Sequence, residues 1–470
     1  MKIQQIYTGC IAQATYYIEN NGEVAIFDPL REVQPYIDKA NLDRAKIKYI
    51  FETHFHADFV SGHLDLANKT SGKIVFGPTA KPEFNAIIAT DNQEFKVGDY
   101  TIKTIHTPGH TMESTCYLLI DENGKEHGII TGDTLFIDDV GRPDLAQNLV
   151  KDLTQEKLAS YLFYSLRNKI MPLSDDLIVY PSHGAGSACG KNMSQETTDT
   201  LGNQKKTNYA LRKEMTREEF TAEVLDGLGI PPAYFPQNVM MNIQGYASLD
   251  SVIDKSKKPL SPAEFKAIAN DTDAIILDVR NENDFVKCHV PRSIFIGIQG
   301  NFAPWVGSLI MNTKQPLLLI TPEGMENETI TRLSRVGFDR VLGYLNGGID
   351  AWKKSGFETD SINSISPEQF SDEMTNKSII LDVRKPSEYD AEHVKNAINL
   401  PLDTLNSHLD LVPKEERFYL HCAGGYRSAI MASILKSRGF HHFINVEKGI
   451  SGIRSTSVAM THFVCPSTLE

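Results

Sequence analysis

The feature that most narrows the fold of this chain is an internal repeat. Ile275-Ile276-Leu277-Asp278-Val279-Arg280 is matched by Ile379-Ile380-Leu381-Asp382-Val383-Arg384, little more than a hundred residues later. Ser261-Pro262 opens the first copy and Ser366-Pro367 the second, with Glu264 and Gln369 where capping boxes need them. Asp284-Phe285 and His289-Val290 have counterparts in Glu388-Tyr389 and His393-Val394. A second apolar run follows in each copy, Leu317–Ile320 and Phe418–Leu420, and the copies close on Gly347-Gly348-Ile349 and Lys448-Gly449-Ile450. Short, wholly apolar runs are buried strands, and strands alternating with helices build a small parallel α/β domain. The repeat therefore predicts one such domain over 243–360 and a second over 361–470, with 1–242 as a separate domain. The 470-residue length agrees, at a prior of about 150 residues per domain.

The first part alternates short β-branched strands with turns. Val24–Phe27, Tyr49–Glu52, Ile74–Phe76, Thr101–Ile105 and Ile129–Thr131 are expected strands. Gln204–Asp226 is expected to be helical, with Thr216 and Glu219 as a capping box, and Pro231-Pro232 ends that pattern before a domain boundary near Asn242.

Chemistry-bearing residues cluster just past the strand ends, where layered α/β folds place their sites. The clusters are Thr53-His54-Phe55-His56-Ala57-Asp58-Phe59, Thr107-Pro108-Gly109-His110, Thr131-Gly132-Asp133 and Pro181-Ser182-His183-Gly184. One histidine alone is usually structural. Four clusters in this arrangement predict a metal site. Their order resembles the metallo-β-lactamase superfamily over roughly residues 1–240, which implies an αββα sandwich there. The superfamily pattern is H-x-H-x-D-H, and Phe59 stands where its last histidine is expected. That histidine helps hold a second metal in hydrolases of the glyoxalase II type, so a single metal is expected here.

Among single-metal members the sequence resembles the persulfide dioxygenases. The resemblance implies one Fe(II) per chain, held by His54, His110 and Asp133. Two histidines and one carboxylate on one face of iron leave three positions open, enough for a persulfide sulfur and dioxygen. His56, Asp58 and His183 then either orient the ligands and the substrate or make structural hydrogen bonds. Arg142 either meets an anionic substrate or braces a loop. Cys189, in a run of small residues after His183, is either a sulfur-accepting thiol near the metal or a packed residue. Cys10 and Cys116 are expected to be packed.

The last repeat carries Leu420-His421-Cys422-Ala423-Gly424-Gly425-Tyr426-Arg427-Ser428 between a strand and an expected helix, Ala429–Ser437. A helix N-terminus with a nearby arginine favours a cysteine thiolate. Gly424 and Gly425 let backbone N–H groups curl around the sulfur as an anion nest, and Arg427 is expected to close that cup. Cys-x4-Arg here resembles a single-domain rhodanese over about residues 362–460, which makes Cys422 the persulfide carrier. The rhodanese-fold phosphatases use a loop one residue longer. The middle repeat has Thr321-Pro322-Glu323-Gly324-Met325-Glu326-Asn327 at this place, with neither cysteine nor arginine, and a shorter loop is expected there. It resembles an inactive rhodanese, a spacer or docking module. Cys288 is expected to be inert.

The whole layout resembles the CstB-like sulfide-detoxification family. It implies oxidation of a low-molecular-weight thiol persulfide (of coenzyme A, glutathione or bacillithiol type) by O2 to sulfite. Sulfite and a second persulfide then give thiosulfate at Cys422. Fusion would raise the local concentration of one site's product near the other. Rival readings are a zinc thioester hydrolase fused to a sulfurtransferase, and a non-enzymatic persulfide relay or sensor. A net charge of −13 argues against a nucleic-acid partner. The six cysteines form no CxxC pair, so neither a disulfide framework nor a zinc ribbon is expected. Met1–Asn20 lacks the pattern of a signal peptide and no apolar run reaches about 20 residues, which predicts a cytoplasmic chain without a membrane span. Superfamily resemblance also implies a homo-oligomer.

Overall fold

The computed structural model describes residues 2–145 and 153–463; Cys465 lies outside them. Two compact units are present, one of the chain up to Val252 with Leu333–Gly337, the other of Ile253–Arg332 and the chain from Phe338 on.

In the first unit, six strands run in chain order across one sheet, from Ile3–Thr8 through Gln13–Asn20, Glu23–Phe27, Lys46–Phe51 and Lys73–Phe76 to Ile87–Ile88. The first two pairings are antiparallel and the next three parallel. A second sheet runs Asp199–Thr200, Ile178–Pro181, Glu126–Gly132, Thr115–Ile120, Tyr100–His106, Glu94–Val97. Side-chain alternation explains how the sheets stack. Tyr117 and Leu119 face inward and join Tyr16, Phe27, Phe51, Phe95 and Ile130 in one apolar layer. Their neighbours Cys116 and Leu118 face outward, against Leu162 and Leu166 of the helical stretch after Thr154. Phe27 stacks on Phe51 at 4.8 Å, and each such buried ring contributes on the order of 2 kcal/mol. This is the αββα sandwich, and Cys116 is simply part of its packing.

In the second unit both repeats form five-stranded sheets, all parallel. The first has the order Pro259–Leu260, Val341–Leu345, Leu317–Ile320, Ile275–Asp278, Ile294–Phe295. The second repeats it with Ser364–Ile365, Phe443–Val446, Phe418–His421, Ile379–Asp382, Ile398–Asn399. Both expected capping boxes form: Ser261 and Ser366 accept from the backbone of Glu264 and Gln369, whose side chains reach back. The shared Asp-Val-Arg has a structural job. Arg280 and Arg384 fold back on Asp278 and Asp382, and also donate to the carbonyls of Cys288 (2.8 Å) and Glu392 (2.6 Å).

Two expectations are corrected, one on a helix and one on a loop. Gln204–Asp226 is not one helix but Leu201–Thr207, a short turn at Tyr209–Leu211, and Arg217–Leu225. Asn208 and Thr216 use their side chains as N-caps, and an N-cap takes extended backbone, so Asn208 ends the first helix and Thr216 starts the last one afresh. The first unit runs to Val252, and within it Phe235–Gln244 packs back on the metal-motif loop through Asn242. The middle repeat's loop is longer, not shorter: Thr321–Met325 separates strand from helix there, against Cys422–Gly425 in the last repeat.

Candidate functional site

The first site grows from the ends of strands in both sheets of the first unit. Lys46–Phe51 ends just before Glu52-Thr53-His54, and Glu126–Gly132 ends at Asp133. One ligand atom from each of His54, His110 and Asp133 lies within 4.8 Å of the others, and all three residues are buried. The Nε2 atoms of His110 and His54 are 3.4 and 3.8 Å from the Asp133 carboxylate. Their ring orientation is set from behind. His110 Nδ1 donates to the Arg142 carbonyl at 2.8 Å, and His54 Nδ1 meets the Thr53 hydroxyl at 3.0 Å. The Thr53 hydroxyl in turn donates to Asp28 (2.9 Å). These bonds use the Nδ1 protons and leave Nε2 bare, the tautomer a metal requires.

His54 Nε2, His183 Nε2 and both Asp133 oxygens are buried and have no hydrogen-bond partner among the described residues. Such orphans cost about 1–3 kcal/mol each unless something fills them. A divalent metal ion fits this donor set. Burial, with the neighbouring charges of His56, His110 and His183, holds the His54 pKa well below the usual imidazole range, so it is neutral and free to ligate.

His56 is treated differently. Its Nε2 faces Asp28 at 3.1 Å and Glu52 at 3.4 Å. Burial alone would lower its pKa, but Asp28 and Glu52 override burial and raise it well above the usual range. Phe59, wholly buried, packs its ring 4.3 Å from the His56 ring. His56, Asp58 and His183 still lie within 4.8 Å of one another, so a second donor group is present beside the first. His183 Nδ1 donates to the Ala12 carbonyl at 3.1 Å, leaving its Nε2 3.5 Å from Asp58 and 3.6 Å from Asp133. Burial raises the Asp58 pKa.

Cys189 is buried, and its sulfur shares a 4.8 Å cluster with Asp133 and His183. Burial, with the charges of Asp58 and Asp133, holds its thiol pKa well above normal. The loop behind it is fastened by Asp139, which accepts from the backbone of Lys191 and Asn192 at 2.7 Å each. Arg142 braces loops: it grips Asp144 with two bonds of 2.7 Å and donates to the carbonyls of Gly229 and Ala188.

Sequence reading missed several residues that shape this site. Asn242 donates to the carbonyls of His56 (2.8 Å) and Phe59 (2.9 Å) and accepts from Ser61 N–H (2.9 Å), so one side chain pins the metal-motif loop three times. Tyr234 is buried beside Asp58 and Cys189; burial first, then those charges, raise its hydroxyl pKa. Neither residue has a local motif to announce it.

The second site is the cup after the strand Phe418–His421. Cys422 is buried, and Gly425 N–H donates to its sulfur at 3.1 Å. The helix behind it begins at Tyr426, a turn earlier than expected. The closing turn of the domain fixes the cup's floor: Ile450 N–H donates to the Cys422 carbonyl (2.8 Å) and Ser451 N–H to that of Ala423 (3.0 Å). Gly449 has φ +48°, and a Cβ there would fall 2.1 Å from the Cys422 oxygen, so only glycine fits. Gly424 lies in the same turn. Arg427 does not close over the sulfur by a direct bond. Its guanidinium forms a bidentate pair with Glu388 (2.6 and 2.8 Å), a residue read from sequence only as a repeat marker. The Glu388 bond raises the Arg427 pKa. In the middle repeat Thr321–Met325 stands in place of the Cys422 loop, and Cys288 is the C-cap of the helix Glu282–Lys287.

Among the described residues no helix is long and apolar enough to cross a membrane. The family model for the metallo-beta-lactamase superfamily matches residues 8–183, and that for the rhodanese-like domain matches 261–355 and 366–456. A solved metallo-beta-lactamase from Staphylococcus aureus subsp. aureus COL is 30% identical with a TM-score of 0.63, covering 74% of this chain and 98% of that one. ETHE1 from Myxococcus xanthus is 24% identical with a TM-score of 0.43, covering 52% of this chain and 98% of that one. A probable hydroxyacylglutathione hydrolase of Schizosaccharomyces pombe is 31% identical over 34% of this chain and 58% of its own length. A hydroxyacylglutathione hydrolase of Rhizobium etli is 33% identical over 32% of this chain and 54% of its own length. The chain thus spans little more than half of these curated relatives.

Proposed function

The chain belongs to the metallo-beta-lactamase superfamily over its N-terminal part, with two rhodanese-like domains behind it, and from that premise we propose that it is a persulfide dioxygenase and sulfurtransferase. The observation that carries this reading is the buried trio of His54, His110 and Asp133 with His56 drawn away to Asp28 and Glu52 and Phe59 in place of a ligand. The trio offers two histidines and a carboxylate to one ion, while the neighbouring group of His56, Asp58 and His183 has Phe59 beside it where a further ligand would stand. His54, His110 and Asp133 would hold a single Fe(II), which would supply the redox chemistry for joining dioxygen to a persulfide's terminal sulfur. Overall, a thiol persulfide, O2 and water give the thiol, sulfite and two protons.

The chain's own groups prepare that reaction. Thr53 and the Arg142 carbonyl keep His54 and His110 in the ligating tautomer. Phe59, wholly buried and 4.3 Å from the His56 ring, sets apolar surface beside the donor cluster. At the second site, the Cys422 thiolate attacks the terminal sulfur of another persulfide; the S–S bond breaks and the thiol leaves. Sulfite then attacks the sulfur carried on Cys422. That S–S bond breaks, thiosulfate departs, and the restored thiolate is received by Gly425 N–H.

The test is oxygen uptake by the full chain, loaded anaerobically with iron and given glutathione persulfide, with sulfite and thiosulfate quantified. Wild type and Cys422→Ser are both expected to consume oxygen, with the variant accumulating sulfite in place of thiosulfate. A second reading, a zinc thioester hydrolase, is favoured by the hydroxyacylglutathione hydrolase relatives and by the donor group His56, Asp58 and His183. No oxygen uptake, together with thioester hydrolysis by protein holding two zinc ions, would replace the first reading with it.

A further inference from the structure

The middle repeat lacks the cysteine and arginine of its partner, yet residues 294–301 meet the last repeat at the turn that bears the cup. Tyr426 is the first residue of the cysteine helix. Its hydroxyl donates to the Gly297 carbonyl at 2.7 Å, and its ring meets Phe295 edge-on at 5.8 Å. Burial raises the hydroxyl pKa, which keeps it a donor. Gly300 leaves the ring its space, since a Cβ there would lie 2.5 Å from the ring Cζ.

The same helix face carries two more attachments. Ser433 accepts from Phe295 N–H at 2.9 Å and donates to the Ile430 carbonyl at 2.7 Å. Lys436 pairs with Asp360 at 2.6 Å. Positions 426, 433 and 436 recur on one side of a helix with about 3.6 residues per turn. Phe295 lies in the edge strand Ile294–Phe295, so Ser433 fills a backbone donor that an edge leaves unpaired. The helix is therefore seated on the middle repeat along its length, and its first turn is bolted there. Gly425, the N-cap just before that turn, supplies the N–H that donates to the sulfur. An outward swing at Tyr426 carries Gly425 N–H away from the sulfur.

We propose that the middle repeat is a working part of the sulfur-transfer site, with Tyr426 as the positioning residue through which it sets the Cys422 cup. This rests on the reading of Cys422 as sulfur carrier. The experiment uses the full chain with Tyr426→Phe, which removes only the hydrogen bond, and Gly300→Ala, which sets a methyl against the ring. Two measurements are made: thiosulfate-to-cyanide sulfur transfer, and iodoacetamide capture at Cys422 read by peptide mass spectrometry across pH. Tyr426→Phe is expected to lower kcat roughly 3- to 10-fold, the worth of one hydrogen bond, with KM for thiosulfate unchanged. The pH midpoint of Cys422 capture is expected to rise, and Gly300→Ala to act further in the same direction. A wild-type kcat and capture profile in Tyr426→Phe overturns the proposal. So does a lower kcat with an unmoved capture profile and a lower melting temperature, which makes Tyr426 merely structural. A wild-type protein that transfers no sulfur and takes none onto Cys422 overturns the reading underneath instead.

Discussion

Thr53 stands between the metal cluster and a buried carboxylate. Its hydroxyl proton goes to Asp28, so the oxygen is left to accept from His54 Nδ1–H. Thr53→Val keeps the shape and removes the relay, freeing the His54 ring to rotate or change tautomer. Metal affinity is expected to fall about 10- to 100-fold, checked by competition against a chelator, with sulfur transfer at Cys422 unchanged. A metal affinity equal to wild type would show that packing alone orients His54. The grouping of His54, His110 and Asp133 and the place of Cys422 after a strand were legible in the sequence, because each follows an apolar strand within a short local pattern. Asp28, Asn242 and Glu388 were not. Asn242 reaches His56 and Phe59 from a helix far along the chain, and Glu388 meets Arg427 only once the parallel sheet has formed. Nothing at those positions differs from an ordinary surface residue until the fold brings the partner.

The elements show the same division between local and long-range signals. Capping boxes at Ser261, Ser366 and Thr216 were readable because both partners lie within three residues. The break at Asn208 was not, because an asparagine in a polar stretch reads equally as helix surface; its side chain is used by Ala210 N–H and the carbonyls of Phe136 and Asp139. The two repeats also share a histidine whose purpose emerges only in three dimensions. His289 stacks on Phe285 at 4.1 Å, and His393 on Tyr389 at 3.7 Å. Burial, opposed by the Phe285 carbonyl and Asp360, pushes the His289 pKa down to about 4. An unfolded histidine titrates near about 6.5, so between those values the unfolded chain holds a proton the folded one does not. Stability of the middle repeat is therefore expected to fall as pH drops from about 6.5 to about 4, by up to roughly 3 kcal/mol. Both tryptophans, Trp305 and Trp352, lie in that repeat, so urea unfolding followed by their fluorescence reports it. His289→Gln cannot titrate and is expected to flatten this pH dependence; an equal slope in the variant would assign it to other groups.

At the scale of the whole molecule, the question is what one chain would gain from carrying both of the proposed chemistries. Each unit completes its own donor set: the metal cluster draws on residues of the first, and the cup on both repeats of the second. The sites are thus separable by single substitutions, and that makes the value of fusion measurable. His110→Ala removes a metal-cluster residue and leaves Cys422 untouched; Cys422→Ser does the reverse. A one-to-one mixture of the two variants contains every functional group of the wild type but never both sites in one chain. On one chain, the second site stands at a local concentration that dilution does not change, whereas in the mixture sulfite made by the proposed oxidation would have to find another molecule. The mixture is therefore expected to release more free sulfite per thiosulfate than wild type when dilute, and the gap to close as protein concentration rises. Equal product ratios at every concentration would mean that sulfite equilibrates with solvent before it reacts, and that fusion supplies equal numbers of the two sites and nothing more.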